Sequence, residues 1–237
     1  MRTALRLAAL TLAATLSFAA RADDAVTDAL QAAYAPCRAA LFRTNGKSQP
    51  DAQQAMSQAQ AAWKGLSERF ASQPPAPYDR DRAFGSTLAQ VAQVYDKAAA
   101  EIAAGKLPEA HETLEQARDL MAALRQRNGV VVFSDHMNAY HAEMEHLLND
   151  SPKLLGAPEG MPQLIAQAGV TDYLARQLRA RAPATLLQNA EFDTLLKDVE
   201  ASVRAVRQAA LKQDPAALKD AIAKVKQPYS RLFVKFG

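Results

Sequence analysis

Apolar residues recur at spacings of three and four along almost the whole chain, and this period constrains the fold more than any other feature. β-branched residues form one compact run, Val130-Val131-Val132, and only nine glycines are spread over 237 residues. Such a chain carries a helical face to bury at nearly every stretch and little from which to build a strand. The pattern predicts an all-α protein, an antiparallel helical bundle with a four-helix-like core and additional C-terminal helices.

Proline, glycine and asparagine predict where the helices begin and end. A first helix covers 24–45, is kinked at Pro36 and stops at Asn45-Gly46. A second starts at Pro50 and runs to about 72, where "QPPAPYDRD" breaks the pattern. The third spans 82–104 and ends at Gly105; the fourth opens at Pro108 and ends at Asn128-Gly129. The fifth ends near Asp150. A short helical piece over 161–180 follows, then a helix over 189–212. The last helix starts at Asp214-Pro215 and continues through Pro228. Short connections at 46–49 and 128–129 favour antiparallel neighbours. "SPKLLGAPEGMP", residues 151–162, is the longest irregular segment and the candidate sub-boundary within one helical domain over 23–237.

Residues 1–22 read as a cleaved signal peptide. Arg2 and Arg6 precede an apolar run from Leu7 to Ala20, and Ala20-Arg21-Ala22 fits the small-x-small cleavage pattern. The expected location is therefore the periplasm. The chain has 28 Lys+Arg and 25 Asp+Glu, and three of the arginines lie in that leader, so the remainder is balanced. Nothing in that balance asks for nucleic acid. A single cysteine, Cys37, cannot form an internal disulfide and is read as a buried, inert thiol. No segment after the leader is apolar enough to span a membrane.

Chemistry-bearing residues concentrate in "FSDHMNAYHAEMEHLL", 133–148, which holds His136, His141 and His146 of the chain's four histidines. Spacings of five turn successive imidazoles by about 140° around a helix, so one ion cannot collect all three. Val130, Phe133, Met137, Tyr140, Met144, Leu147 and Leu148 share the apolar direction. His141 falls within that stripe beside Met137 and Met144, an imidazole–thioether set suited to a soft metal. His136 and Glu143 flank it, and His146 and Glu145 lie on the wetter side.

Glu143-x-x-His146 resembles the spacing used in carboxylate-bridged di-iron bundles. The second such motif is missing, because Pro108 stands three residues before His111. Helical b-type cytochromes of the periplasm resemble this chain only in class and export; their late haem-ligating His has no counterpart after His146, which argues against haem. Cys-x-x-Cys-His is absent as well. If the fourth and fifth helices form a hairpin about Asn128-Gly129, His111 falls opposite His146, and Glu115 beside His141 and Glu143. Acids accumulate on both helices there, with only Arg118 opposing them within 109–119 and 135–150.

These residues lead to an expected periplasmic protein that binds or handles a transition metal ion (Cu, Zn or Fe) without turnover. Its candidate ligands are His136, His141, Met144, Glu143 and His146, joined by His111 and Glu115. The alternative is a non-metal binding or scaffold module meeting a periplasmic protein partner through its basic C-terminal helix. Six Lys/Arg face two acids over 212–237, beside Tyr229, Leu232, Phe233 and Phe236. One internal echo joins "PCRAALFRTNG" (36–46) to "PYSRLFVKFG" (228–237), and no fixed repeat period covers the chain.

Overall fold

The computed structural model describes residues 24–46 and 48–237, so the leader expected over residues 1–22 lies outside the described residues. These residues form α1 (Ala25–Asn45), α2 (Gln49–Phe70), α3 (Phe84–Ala103), α4 (Leu107–Arg127), α5 (Phe133–Leu154) and α6 (Gly160–Arg181). A single turn, α7 (Ala184–Leu187), precedes α8 (Ala190–Leu211), α9 (Pro215–Ile222) and α10 (Lys226–Phe236). No strand occurs among the described residues, and the protein is an all-α helical bundle. No helix among them is long and apolar enough to cross a membrane.

Local chemistry sets the helix starts. The Asp24 carboxylate accepts from the Thr27 amide at 3.0 Å, and Asn189 and Asp214 cap α8 and α9 in the same way. Pro215 occupies the first turn of α9, where no amide hydrogen is needed.

Two separate cores hold the helices. α1–α4 close around Trp63, Phe70, Tyr78, Phe84, Leu88, Tyr95, Leu114 and Met121. Trp63 donates its indole N–H to the Leu88 carbonyl at 2.9 Å and meets Tyr95 edge-on. The second core begins at Phe133 and gathers Met137, Tyr140, Met144 and Leu147 of α5 with Leu164, Leu178, Phe192, Val203, Leu218 and Leu232. The apolar stripe read on the fifth helix is thus the buried one.

The division falls at residues 130–132, between Val130 of the first core and Phe133 of the second. Gly129 turns the chain with φ +68°, a conformation that favours glycine. Arg125, 2% exposed, then grips the Asp135 carboxylate across the corner, and that carboxylate also accepts the Val132 amide at 3.0 Å. α4 and α5 are consequently not a packed hairpin. The stripe of α4 (Leu107, Ala110, Leu114, Ala117, Met121, Leu124) is already filled by α1 and α3, and that of α5 by α6 and the C-terminal helices.

Three boundaries differ from the sequence reading, each for a physical reason. α5 continues through Pro152 to Leu154. Pro152 removes the amide that would serve the Leu148 carbonyl, and the Ser151 hydroxyl donates to that carbonyl instead, at 3.3 Å. α6 is a full 22-residue helix that buries Leu164 and Leu178 at its ends but Ala168, Thr171 and Ala175 between them, side chains too small or polar to leave a strong apolar period. The last helix divides at Ala223–Val225 into α9 and α10, because Pro228 sits in the first turn of a new helix. The 151–162 segment joins α5 to α6 inside the second core.

Candidate functional site

α1 and α10 pack together across the seam between the two bundles, and a cleft of about 440 Å³ opens beside them. Its apolar wall comes from Leu41 and Phe42 of α1, Met144 of α5 and Phe233 of α10. His111, Glu115 and Arg118 of α4, His141 of α5 and Lys226 of α10 form its polar side. The positions 111, 115 and 118 recur at helical spacing on the flank of α4, beside the stripe that fills the first core.

Hydrogen bonds fix which nitrogen each imidazole presents. His111 Nδ1 lies 3.0 Å from the Leu41 carbonyl, which only accepts, so the proton sits on Nδ1. Nε2 is left as the acceptor, with Asn45 Nδ2 at 3.2 Å and Glu115 at 3.8 Å. Burial lowers the His111 pKa and the Glu115 charge opposes that only in part, so the ring is neutral near pH 7. His141 has the opposite arrangement. Arg118 donates to its Nδ1 at 3.0 Å, which places the proton on Nε2, 3.5 Å from Glu145. The Glu145 carboxyl is held down at about 2, first by His141 and then by the Lys226 ammonium 2.9 Å away. Tyr229 stacks flat on the His141 ring at 5.4 Å and donates its hydroxyl to the Met137 carbonyl.

The result is a polar relay, His111–Glu115–Arg118–His141–Glu145–Lys226, that ties α4 to α5 and α10. It contains two imidazole–carboxylate couples, one on each helix, with the Arg118 guanidinium between them. Arg118 is braced by Glu115 at 3.2 Å and Asp119 at 3.0 Å.

Of the seven expected ligand residues, His111, Glu115, His141 and Met144 line this cleft. His136, Glu143 and His146 do not. His146 has a side chain 69% exposed and pairs with Glu143 at 3.6 Å on the outer face of α5. His136 faces a different cleft with Asp24, Asp28 and Arg181, where burial and the Arg181 charge lower its pKa. Among the described residues, no group of three or more His, Cys, Asp or Glu side chains is arranged to hold a metal ion. Cys37 is fully buried, and its thiol is pushed up to about 11 by that burial, in keeping with an inert role.

Sequence reasoning named Tyr229 and Phe233 only for a separate docking surface, and missed Leu41, Phe42, Asn45 and Lys226 as neighbours of the histidines. A signal for them existed. The echoing segments 36–46 and 228–237 contribute Leu41, Phe42 and Gly46 on one side, and Tyr229, Ser230 and Phe233 on the other. The chain matches no protein-family profile, no curated protein and no solved structure.

Proposed function

We propose that the protein is a non-enzymatic binding module that holds a small amphiphilic molecule in the cleft between its bundles. One observation carries this reading: an open 440 Å³ cleft is lined by Leu41, Phe42, Met144 and Phe233 together with His111, Arg118, His141 and Lys226. An apolar body packs on the first set, and a neutral polar head meets the second. Arg118 and Lys226 are already paired with Glu115, Asp119 and Glu145, so the head meets hydrogen-bonding groups and no free charge.

A transition metal ion is the second reading, favoured by the couples themselves. His111 Nε2 with Glu115, and His141 with Glu145, are the donors that would hold Cu, Zn or Fe, with Met144 adjoining them. Two donors per couple fall short of a closed zinc shell, and Arg118 would have to swing away. The leader-like residues 1–22 support an exported, periplasmic location, with a mature chain that begins at Asp23.

Untagged protein recovered from the periplasmic fraction tests all three points. Native mass spectrometry should show a mature mass starting at Asp23 and a co-purifying organic molecule that is lost in Phe42→Asp. Recovery of ligand-free wild-type protein, with no thermal shift by any member of an amphiphile panel, would defeat the leading reading. Elemental analysis decides the second: Zn or Cu retained by the wild type and lost in His111→Ala would support it over the first.

A further inference from the structure

A groove of about 470 Å³ runs between α6 and α8 on the second bundle. Asp172, Arg176 and Arg179 line it from α6, and Glu200, Arg204 and Arg207 from α8. Spacings of three and four keep each set on one face of its helix. Four guanidinium groups therefore share the groove with two carboxylates, an excess of two positive charges. The carboxylates do not use up the donors. Glu200 gives both oxygens to Arg179, at 2.7 and 3.1 Å. Arg204, one turn further along α8 and exposed, is left without an ion pair among the described residues. Asp172 is shared, with Arg176 at 3.1 Å and Arg207 at 3.4 Å from the same oxygen. That oxygen receives no hydrogen bond, so both contacts are Coulombic. The N–H groups of Arg176 and Arg207, on side chains 62% and 50% exposed, remain open to a ligand.

Three accessible guanidinium groups from two helices, with two charges to spare, call for an anion with several acceptor oxygens and more than one negative charge. A carboxylate brings one charge and two oxygens. A phosphate monoester brings close to two charges and three strong acceptor oxygens, which matches both counts. The groove also has an apolar end: Leu211, 58% exposed, follows Arg204 and Arg207 on the same face of α8. We infer that this groove is a second binding site, for an organic phosphate monoester. The dianionic head meets Arg176, Arg204 and Arg207, and the apolar remainder lies on Leu211. It shares no lining residue with the seam cleft and does not depend on the ligand proposed there.

Phenyl phosphate is a suitable probe, with phenyl sulfate as its singly charged analogue and inorganic phosphate as the head alone. Calorimetric titration of the full chain at about pH 8, where the ester is doubly charged, should show phenyl phosphate binding about tenfold or more tightly than phenyl sulfate. Arg204→Gln should weaken phenyl phosphate by about tenfold and leave the melting temperature of the free protein unchanged, because Arg204 holds nothing in the fold. Arg231→Gln removes an exposed charge from α10 and should leave binding as it is. Leu211→Ser should weaken phenyl phosphate but not inorganic phosphate. Flotation with phosphatidate vesicles, competed by phenyl phosphate and lost in Arg204→Gln, would place the ester on a lipid; no flotation would place it on a soluble molecule. Wild-type protein that ignores phenyl phosphate, phenyl sulfate binding as tightly, or an Arg231→Gln loss as large as that of Arg204→Gln would each overturn the proposal. A lowered melting temperature with unchanged binding in Arg204→Gln would do so too, by assigning that side chain to the fold.

Discussion

The two bundles close themselves in different ways. The first uses four helices of 20–22 residues and keeps its aromatic weight at its centre: Trp63, Phe70, Tyr78, Phe84 and Tyr95 do not line the seam cleft. Two polar tips there find partners within it, Trp63 on the Leu88 carbonyl and Tyr78 on Thr27. The second bundle fills its last position with two short pieces, α9 and α10, broken at Ala223–Val225. Its aromatic residues Tyr229 and Phe233 lie on the seam, lining the cleft. The contrast sets a core filled by its own four helices against one that is completed by a broken helix beside the cleft.

Core truncations give the largest effect and the most direct test of two units. Trp63→Ala and Phe192→Ala should each cost about 3–5 kcal/mol by removing a fully buried ring. Trp63 is the only tryptophan, so its fluorescence reports the first core alone. In Phe192→Ala the circular-dichroism midpoint should fall well below the fluorescence midpoint. If both fall together, the bundles unfold as one unit and the contrast has no thermodynamic counterpart.

Asp135→Ala should cost about 3 kcal/mol, because it strands Arg125 without a counter-charge at the corner. Adding Arg125→Met should recover most of that loss in chemical denaturation. Gly160→Ala should cost about 2 kcal/mol, since a Cβ there would stand 1.7 Å from the Leu154 carbonyl oxygen and the α5–α6 turn must shift. The Trp63 midpoint should stay in place, so the damage reads out in the second bundle only.

The smallest effect concerns acid. Glu145 is held at about 2 in the folded protein against 4.5 ordinarily, so its contribution is complete above 4.5 and disappears as pH falls towards 2. Partial exposure limits it to about 1 kcal/mol or less. Glu145→Gln should flatten the stability profile over that window and leave it unchanged near neutral pH.

Much of this architecture is legible in the chain, because helices announce themselves locally. Asp214-Pro215, Asn45-Gly46 and Gly105 mark ends that need no tertiary information. The stripe through Met137, Tyr140 and Met144 identified the buried face of α5, and with it the outward position of His146. What escaped is non-local. Two apolar stripes separated by a short turn look the same whether they face each other or face different partners, so α4 and α5 read as a hairpin. Pro228 has the same identity inside a kinked helix as in the first turn of a new one. His111, Glu115, His141 and Met144 were readable as donors on suitable faces. Arg118 was visible only as a lone base among acids, and its place between the imidazoles depends on how the bundles meet.

The packing of α1 against α10 also bears on the order in which the protein matures. Each core draws on a contiguous stretch, so the first can condense while the second is still being made. Leu41 and Phe42 then wait beside an otherwise finished bundle until the segment from Lys226 onward arrives. That late segment completes the cleft with Lys226, Tyr229 and Phe233. A chain interrupted before Lys226 would keep Trp63 in its native environment yet lack the Lys226, Tyr229 and Phe233 wall of the cleft, so the cleft takes shape only after the first bundle has folded.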